Sequence, residues 1–149
     1  MNRHEQDTGA RFARAYPMTT ERLAQLQAGL SRELDKESEV TVAYLYGSCL
    51  SETMFHDVDV GLYLHPSASG RSSSIAAELE DRLSSMLGLP VDIRVLNEAP
   101  VTFVYHVLRG SLLLCRDERF LSATLEDVAR RYLDLAPLLR RSTAEAFAG

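Results

Sequence analysis

Basic charge is in deficit in this chain, with 16 Lys and Arg against 21 Asp and Glu and a formal net charge of -5. Gripping long nucleic acid through its phosphates needs a net basic face, so this balance argues for a nucleotide or another protein as partner. Cysteine is scarce as well. Cys49 and Cys115 have no metal-ligand spacing, and a chain of 149 residues needs no staple, so both are expected as reduced thiols in a cytoplasmic protein. Long apolar runs are missing. The polar stretch from Met1 to Tyr16 lacks an apolar core of signal-peptide length, and no segment approaches the ~20 apolar residues of a membrane span, which argues against secretion and membrane insertion. No internal repeat is present. The serine-rich loop Ser67 to Ser74 lacks the Gly-Lys-Ser/Thr ending of a phosphate-binding P-loop and reads as helix capping. Cys49 has no readable His-Asp relay, which argues against a nucleophile. His4, His65 and His106 lack partners at metal-ligand spacing.

Against those absences, 46% hydrophobic and 25% charged residues describe an ordinary soluble domain with a substantial core. Residues 1–17 carry mixed charge without a period and are expected as a tail. Leu23, Leu26, Leu30 and Leu34 recur at helical spacing after Thr19 and Thr20, either of which can cap, and that helix is expected to end near Lys36. Val40 to Tyr46 is a β-branched, aromatic run that stops at Gly47, the pattern of a buried strand. The link from Ser48 to His56 is too long for a tight hairpin and has room for a short helix. A second strand is expected over Asp57 to Leu64. Ile75, Leu79 and Leu83 mark a helix over about Ser73 to Leu87, stopped by Gly88. Val91 to Leu96 alternates apolar and polar residues, with Asp92 and Arg94 on one face. Ala99-Pro100 opens a short helix that Gly110 ends, and Ser111 to Cys115 reads as an edge strand. From about Glu118 to Ala148 the apolar residues again keep helical intervals, with Pro137 expected to kink or break the run. The expected fold class is therefore α/β (α+β), a small mixed sheet flanked by helices. Its expected division is a tail (1–17), a central domain (18–116) and a C-terminal helical extension packed on that domain (117–149).

Chemistry concentrates in one constellation. Alternation along a strand sends Asp57 and Asp59 the same way, while Val58, Val60, Leu62 and Leu64 fix the strand. Gly47 and Ser48 precede them, and Asp92 follows on the third strand. Phosphoryl transfer uses such an order, because hard oxygen ligands hold Mg²⁺ ions that stabilise the attacking and leaving oxygens of an in-line displacement. A glycine without Cβ lets backbone approach a phosphate, and Ser48 adds a hydroxyl and helix-start N–H groups. Two plainer readings stay open at this point: a solvated strand face for the Asp57/Asp59 pair, and a surface ion pair between Asp92 and Arg94.

At these residues the chain resembles the minimal nucleotidyltransferases (MNT) of the DNA polymerase β superfamily. Their signature is a hydrophobic residue with Gly-Gly or Gly-Ser, then Asp-x-Asp, then a third strand carboxylate, met here by Tyr46-Gly47-Ser48, Asp57-Val58-Asp59 and Asp92. Pro90-Val91-Asp92-Ile93, Leu96-Asn97, Ala99-Pro100, Leu108 to Leu113 and Arg131-Tyr132-Leu133-Asp134 look like the MntA antitoxin branch, so the resemblance covers roughly Val40 to Arg141. It implies the nucleotidyltransferase fold and an adenylyltransferase that moves AMP from ATP to a tyrosine of a cognate HEPN-domain ribonuclease toxin. It also implies two Mg²⁺ ions held by Asp57, Asp59 and Asp92, with Gly47 and Ser48 on the triphosphate. ATP and the toxin are the implied partners, and a homodimer stays open. Two departures stand out. The link from Cys49 to His56 has eight residues, shorter than the family's usual one, with His56 in place of the usual serine. Leu50-Ser51-Glu52 replaces the usual Arg-x-Gly. The alternatives are a non-catalytic antitoxin acting by complex formation and a small-molecule nucleotidyltransferase.

Overall fold

The computed structural model describes residues 16–51, 54–55 and 57–147. Four strands form a sheet in the order β5-β4-β2-β6, made of β2 (Val40–Tyr46), β4 (Val58–Leu64), β5 (Val91–Val95) and β6 (Ser111–Cys115). Strands β2 and β4 run antiparallel, β2 and β6 antiparallel, and β4 and β5 parallel, so the sheet is mixed as expected and β6 is an edge. The parallel pair needs a crossover, which α3 (Ser72–Leu87) supplies.

Alternation divides each strand between two layers. Val58, Val60 and Leu62 are fully buried with Ala43 and Leu45 of β2, against Leu26, Leu30 and Leu34 of α1 (Thr20–Leu34) and Leu79 and Leu83 of α3. Tyr44, Tyr46 and Tyr63 face the opposite layer, where α4 (Val101–Leu108) and α5 (Glu118–Phe147) contribute Val104, Val107, Leu121 and Val128. The outer edge of β5 is closed by α3 side chains: Val91 N donates to Ser84 Oγ at 3.1 Å and Ile93 N to Glu80 Oε1 at 2.9 Å. Asn97 clasps the far end of β4 through both the N–H and the carbonyl of Leu64, each at 2.9 Å.

Thr19 caps α1, its hydroxyl accepting from Arg22 N at 3.1 Å. Three expectations change. Tyr16–Pro17, the end of the expected tail, forms strand β1 paired with Met54–Phe55 (β3), a two-residue match too short to show a period. No serine caps α3, whose N-cap residue is Arg71 without a side-chain hydrogen bond; Arg71 is held instead by Glu39. Helix α5 runs through Pro137 unbroken. Pro137 is exposed, so water can serve the carbonyl that its missing N–H leaves free. Residues 1–15 and His56, for which expectations were also drawn, lie outside the described residues.

Candidate active site

The strand register carries the site. Tyr46 of β2 stands opposite Asp59 of β4, and Asp59 opposite Asp92 of β5, so these three share one row across the sheet. Asp57 directly precedes β4. The short helix α2 (Ser48–Ser51) follows Gly47, as the room in the link allowed.

Gly47 joins the two halves of the motif. Its φ of 87° is a left-handed value that disfavours a side chain, and a Cβ there would lie 2.5 Å from Asp59 Oδ2. The glycine backbone is therefore laid directly against a carboxylate. Beneath them, Cys49 is buried and its Sγ–H donates to the Tyr46 carbonyl at 3.6 Å. Burial, followed by the charge of Asp59, pushes that thiol up to about 11. It stays protonated near neutrality, which fits the expectation that it is no nucleophile. Both cysteines are free.

Electrostatically the row is an under-compensated acidic edge. Burial first, then the charges of Asp57 and Asp92, raise the Asp59 carboxyl to about 6, with Arg94 partly opposing them. The Tyr46 hydroxyl is raised by burial first and then by Asp59 and Asp92. Asp92 is engaged by Arg94 Nε at 3.2 Å, in a largely solvated pair. Among the described residues no group of three His, Cys, Asp and Glu side chains could hold a metal ion. Asp59 and Asp92 thus share a row, with Asp57 two residues before Asp59, and the three form no closed cage. That donor set still fits Mg²⁺, which is commonly held by one or two carboxylates together with substrate phosphates. Asp57 and Asp59 are the two available.

Beside Gly47 and Ser48 lies an open cleft of about 510 Å³, lined also by Tyr46, Leu50, His106, Arg109 and Gly110. Of these, His106 and Arg109 were given no place beside Gly47 by the sequence, because only tertiary packing brings the end of α4 there. A Cβ on Gly110 would collide with the Leu45 carbonyl, so glycine lets the end of α4 press against β2 beside the motif. A larger cleft, about 570 Å³, opens at the other end of β4 and β5 by His65, Ser69 and Asn97. It holds none of Gly47, Ser48 and the three aspartates and no Lys or Arg, whereas Gly47, Ser48 and Arg109 line the smaller one. No described helix is long and apolar enough to cross a membrane.

Comparison with known proteins agrees with this geometry. The chain is similar in structure to a chain of the complex of tri-AMPylated Shewanella oneidensis HEPN toxin with MNT antitoxin, at 19% identity and TM-score 0.61 over 84% of this chain and 98% of that one. A chain of the MntA-HepT toxin-antitoxin matches at 18% identity and TM-score 0.61, covering 84% and 99%. A chain of a toxin-antitoxin with AMP-PNP gives 18%, TM-score 0.64, 83% and 98%. These structural neighbours are MNT antitoxins, and at such identity they establish the nucleotidyltransferase fold. No curated protein matches the chain. The family described as polymerase beta, nucleotidyltransferase matches residues 29–119, a span that holds Gly47, the three aspartates, His106 and Arg109, and the chain belongs to that family.

Proposed function

We propose that this protein is an antitoxin nucleotidyltransferase that transfers AMP from ATP to a tyrosine of a HEPN-domain toxin. The observation that carries the reading is the contact of Gly47 with the Asp59 carboxylate, which joins a phosphate-approaching backbone to the acidic row. The neighbours supply the protein partner by analogy, one being a complex with a tri-AMPylated HEPN toxin and another containing AMP-PNP.

In this mechanism Asp57 and Asp59 would hold Mg²⁺, which would supply charge neutralisation on the transferring phosphate. Ser48 donates its hydroxyl to the triphosphate, and Gly47 leaves room for it. Asp92, across the row from Asp59, faces the incoming acceptor and takes its hydroxyl proton. The tyrosine oxygen bonds to the α-phosphorus, the bond to the bridging oxygen breaks, and pyrophosphate leaves. Incubation with labelled ATP, Mg²⁺ and a HEPN-domain toxin tests it. Label on the toxin, absent with Asp57→Asn/Asp59→Asn, is the expected result; no label, or equal label with the variant, rejects the reading.

The Arg94 pair on Asp92 favours one competing reading, an antitoxin that neutralises by complex formation alone. Stoichiometric neutralisation by the double variant would establish it.

A further inference from the structure

Helix α2 is four residues long, Ser48-Cys49-Leu50-Ser51, and brings Ser48 to the cleft but no cation. A triphosphate tail carries several negative charges and needs cations from elsewhere. The end of helix α4 supplies one cation, its C-cap residue Arg109, with His106 one turn before it. His106 and Arg109, three residues apart, lie on one helical face, and both line the cleft opposite Gly47 and Ser48. Both are exposed, and neither forms an ion pair among the described residues, whereas Arg71, Arg82, Arg94, Arg116, Arg130 and Arg131 all do.

Aromatic rings support them instead. The Arg109 guanidinium lies over the Tyr105 ring, 5.9 Å from its centroid. Tyr105 in turn stacks on Tyr132 of α5 at 3.7 Å and 2°. The His106 ring meets Tyr46 edge-on at 5.7 Å. Aromatic faces orient a cation without neutralising it, so the charge of Arg109 stays available to a ligand. Tyr46, which meets His106, shares its row with Asp59 and Asp92.

Resting on the nucleotidyltransferase reading, we infer that His106 and Arg109 grip the phosphate tail of the nucleotide and set a preference for a nucleoside triphosphate over a monophosphate. Arg109 contributes the larger share, since its planar fork can hold two phosphate oxygens at once. His106 adds a ring N–H donor. Neither takes part in bond making.

Calorimetric titration of the full chain with ATP and with AMP, both with Mg²⁺, tests this. The wild type binds ATP more tightly than AMP. Arg109→Ala weakens ATP by roughly tenfold or more and leaves AMP unchanged, Arg109→Lys falls between, and His106→Ala shows a smaller loss of the same kind. An unchanged thermal midpoint for the variants establishes that the fold is intact. A wild type without preference for ATP, or an Arg109→Ala chain that loses ATP and AMP equally or neither, overturns the inference. The two readings fail separately. Triphosphate preference through Arg109 in a chain that labels no protein rejects only the transfer reading; toxin labelling with an ATP KM unaltered by Arg109→Ala rejects only the grip.

Discussion

The two faces of the sheet use the same strands for different ends. Toward α1 and α3, alternate residues are Val58, Val60 and Leu62, fully buried among leucines. Toward α4 and α5, the intervening residues begin as Asp57 and Asp59 and end at Tyr63, packed on Phe120 at 5.3 Å. One face is core along its whole length; the other is core at one end and a polar cleft at the other. Alternation lets a single strand hold its position on one face while displaying carboxylates on the other. On the proposed reading, the first face carries stability and the open end of the second carries chemistry. Substitutions on the two faces should separate those properties.

The largest effect is expected on the polar face. Asp57→Asn/Asp59→Asn should reduce AMP transfer by a factor on the order of a thousand, about 4 kcal/mol of transition-state stabilisation, without unfolding the chain. Transfer assays beside circular dichroism check both halves of that statement, and a folded variant with near-normal transfer would break the division of labour. Leu62→Ala on the apolar face should do the reverse. It should cost about 3 kcal/mol in urea unfolding, through lost burial and a cavity, with transfer per folded molecule retained. Gly47→Ala lies where the faces meet the cleft. An added Cβ at positive φ and against Asp59 should cost about 1–2 kcal/mol of stability and reduce transfer roughly tenfold, a mixed outcome that neither face alone produces.

The same comparison explains what could be read in the amino-acid order. Period-2 and period-3.6 patterns mark the apolar face strongly, so α1, β2, β4, α3 and β6 fall close to their expected limits, and β5 neighbours β4 as the three-aspartate order required. The Gly47-Ser48, Asp57-Val58-Asp59 and Asp92 order likewise indicated which end of the sheet to inspect. Features that depend on single side chains were less legible. Asp92 could be read as part of the acidic site or as a partner for Arg94, and only the placed side chains reveal that Arg94 engages it. His106 and Arg109 belong to an otherwise apolar helix, and their approach to Gly47 depends on how Gly110 seats α4 against β2. An exposed basic pair just before a glycine was the one available signal. Strand pair β1–β3 is too short for any period, and Pro137 leaves its helix unbroken at an exposed position.

The smallest expected effect is also the most diagnostic of the acidic row. Burial and the neighbouring Asp57 and Asp92 raise Asp59 to about 6 from its ordinary 3.8, so the folded chain holds this proton more tightly than the unfolded one. Stability from this group is complete below about 3.8 and is lost as the pH rises through about 6. The unscreened shift corresponds to about 3 kcal/mol, and solvent contact reduces the expected loss to about 1 kcal/mol. Urea unfolding of the metal-free chain at pH 4 and pH 7.5 should show most of that loss in the wild type beyond whatever Asp59→Asn shows, since every other titrating group is common to both. Added Mg²⁺ should restore stability to the wild type at the higher pH and give less to the variant, because a bound cation relieves the same repulsion that raises the carboxyl. Equal pH dependence in the two chains would mean that water already screens the row. The polar end of the second face would then be an ordinary solvated edge, and its contrast with the apolar face would carry no stored electrostatic cost.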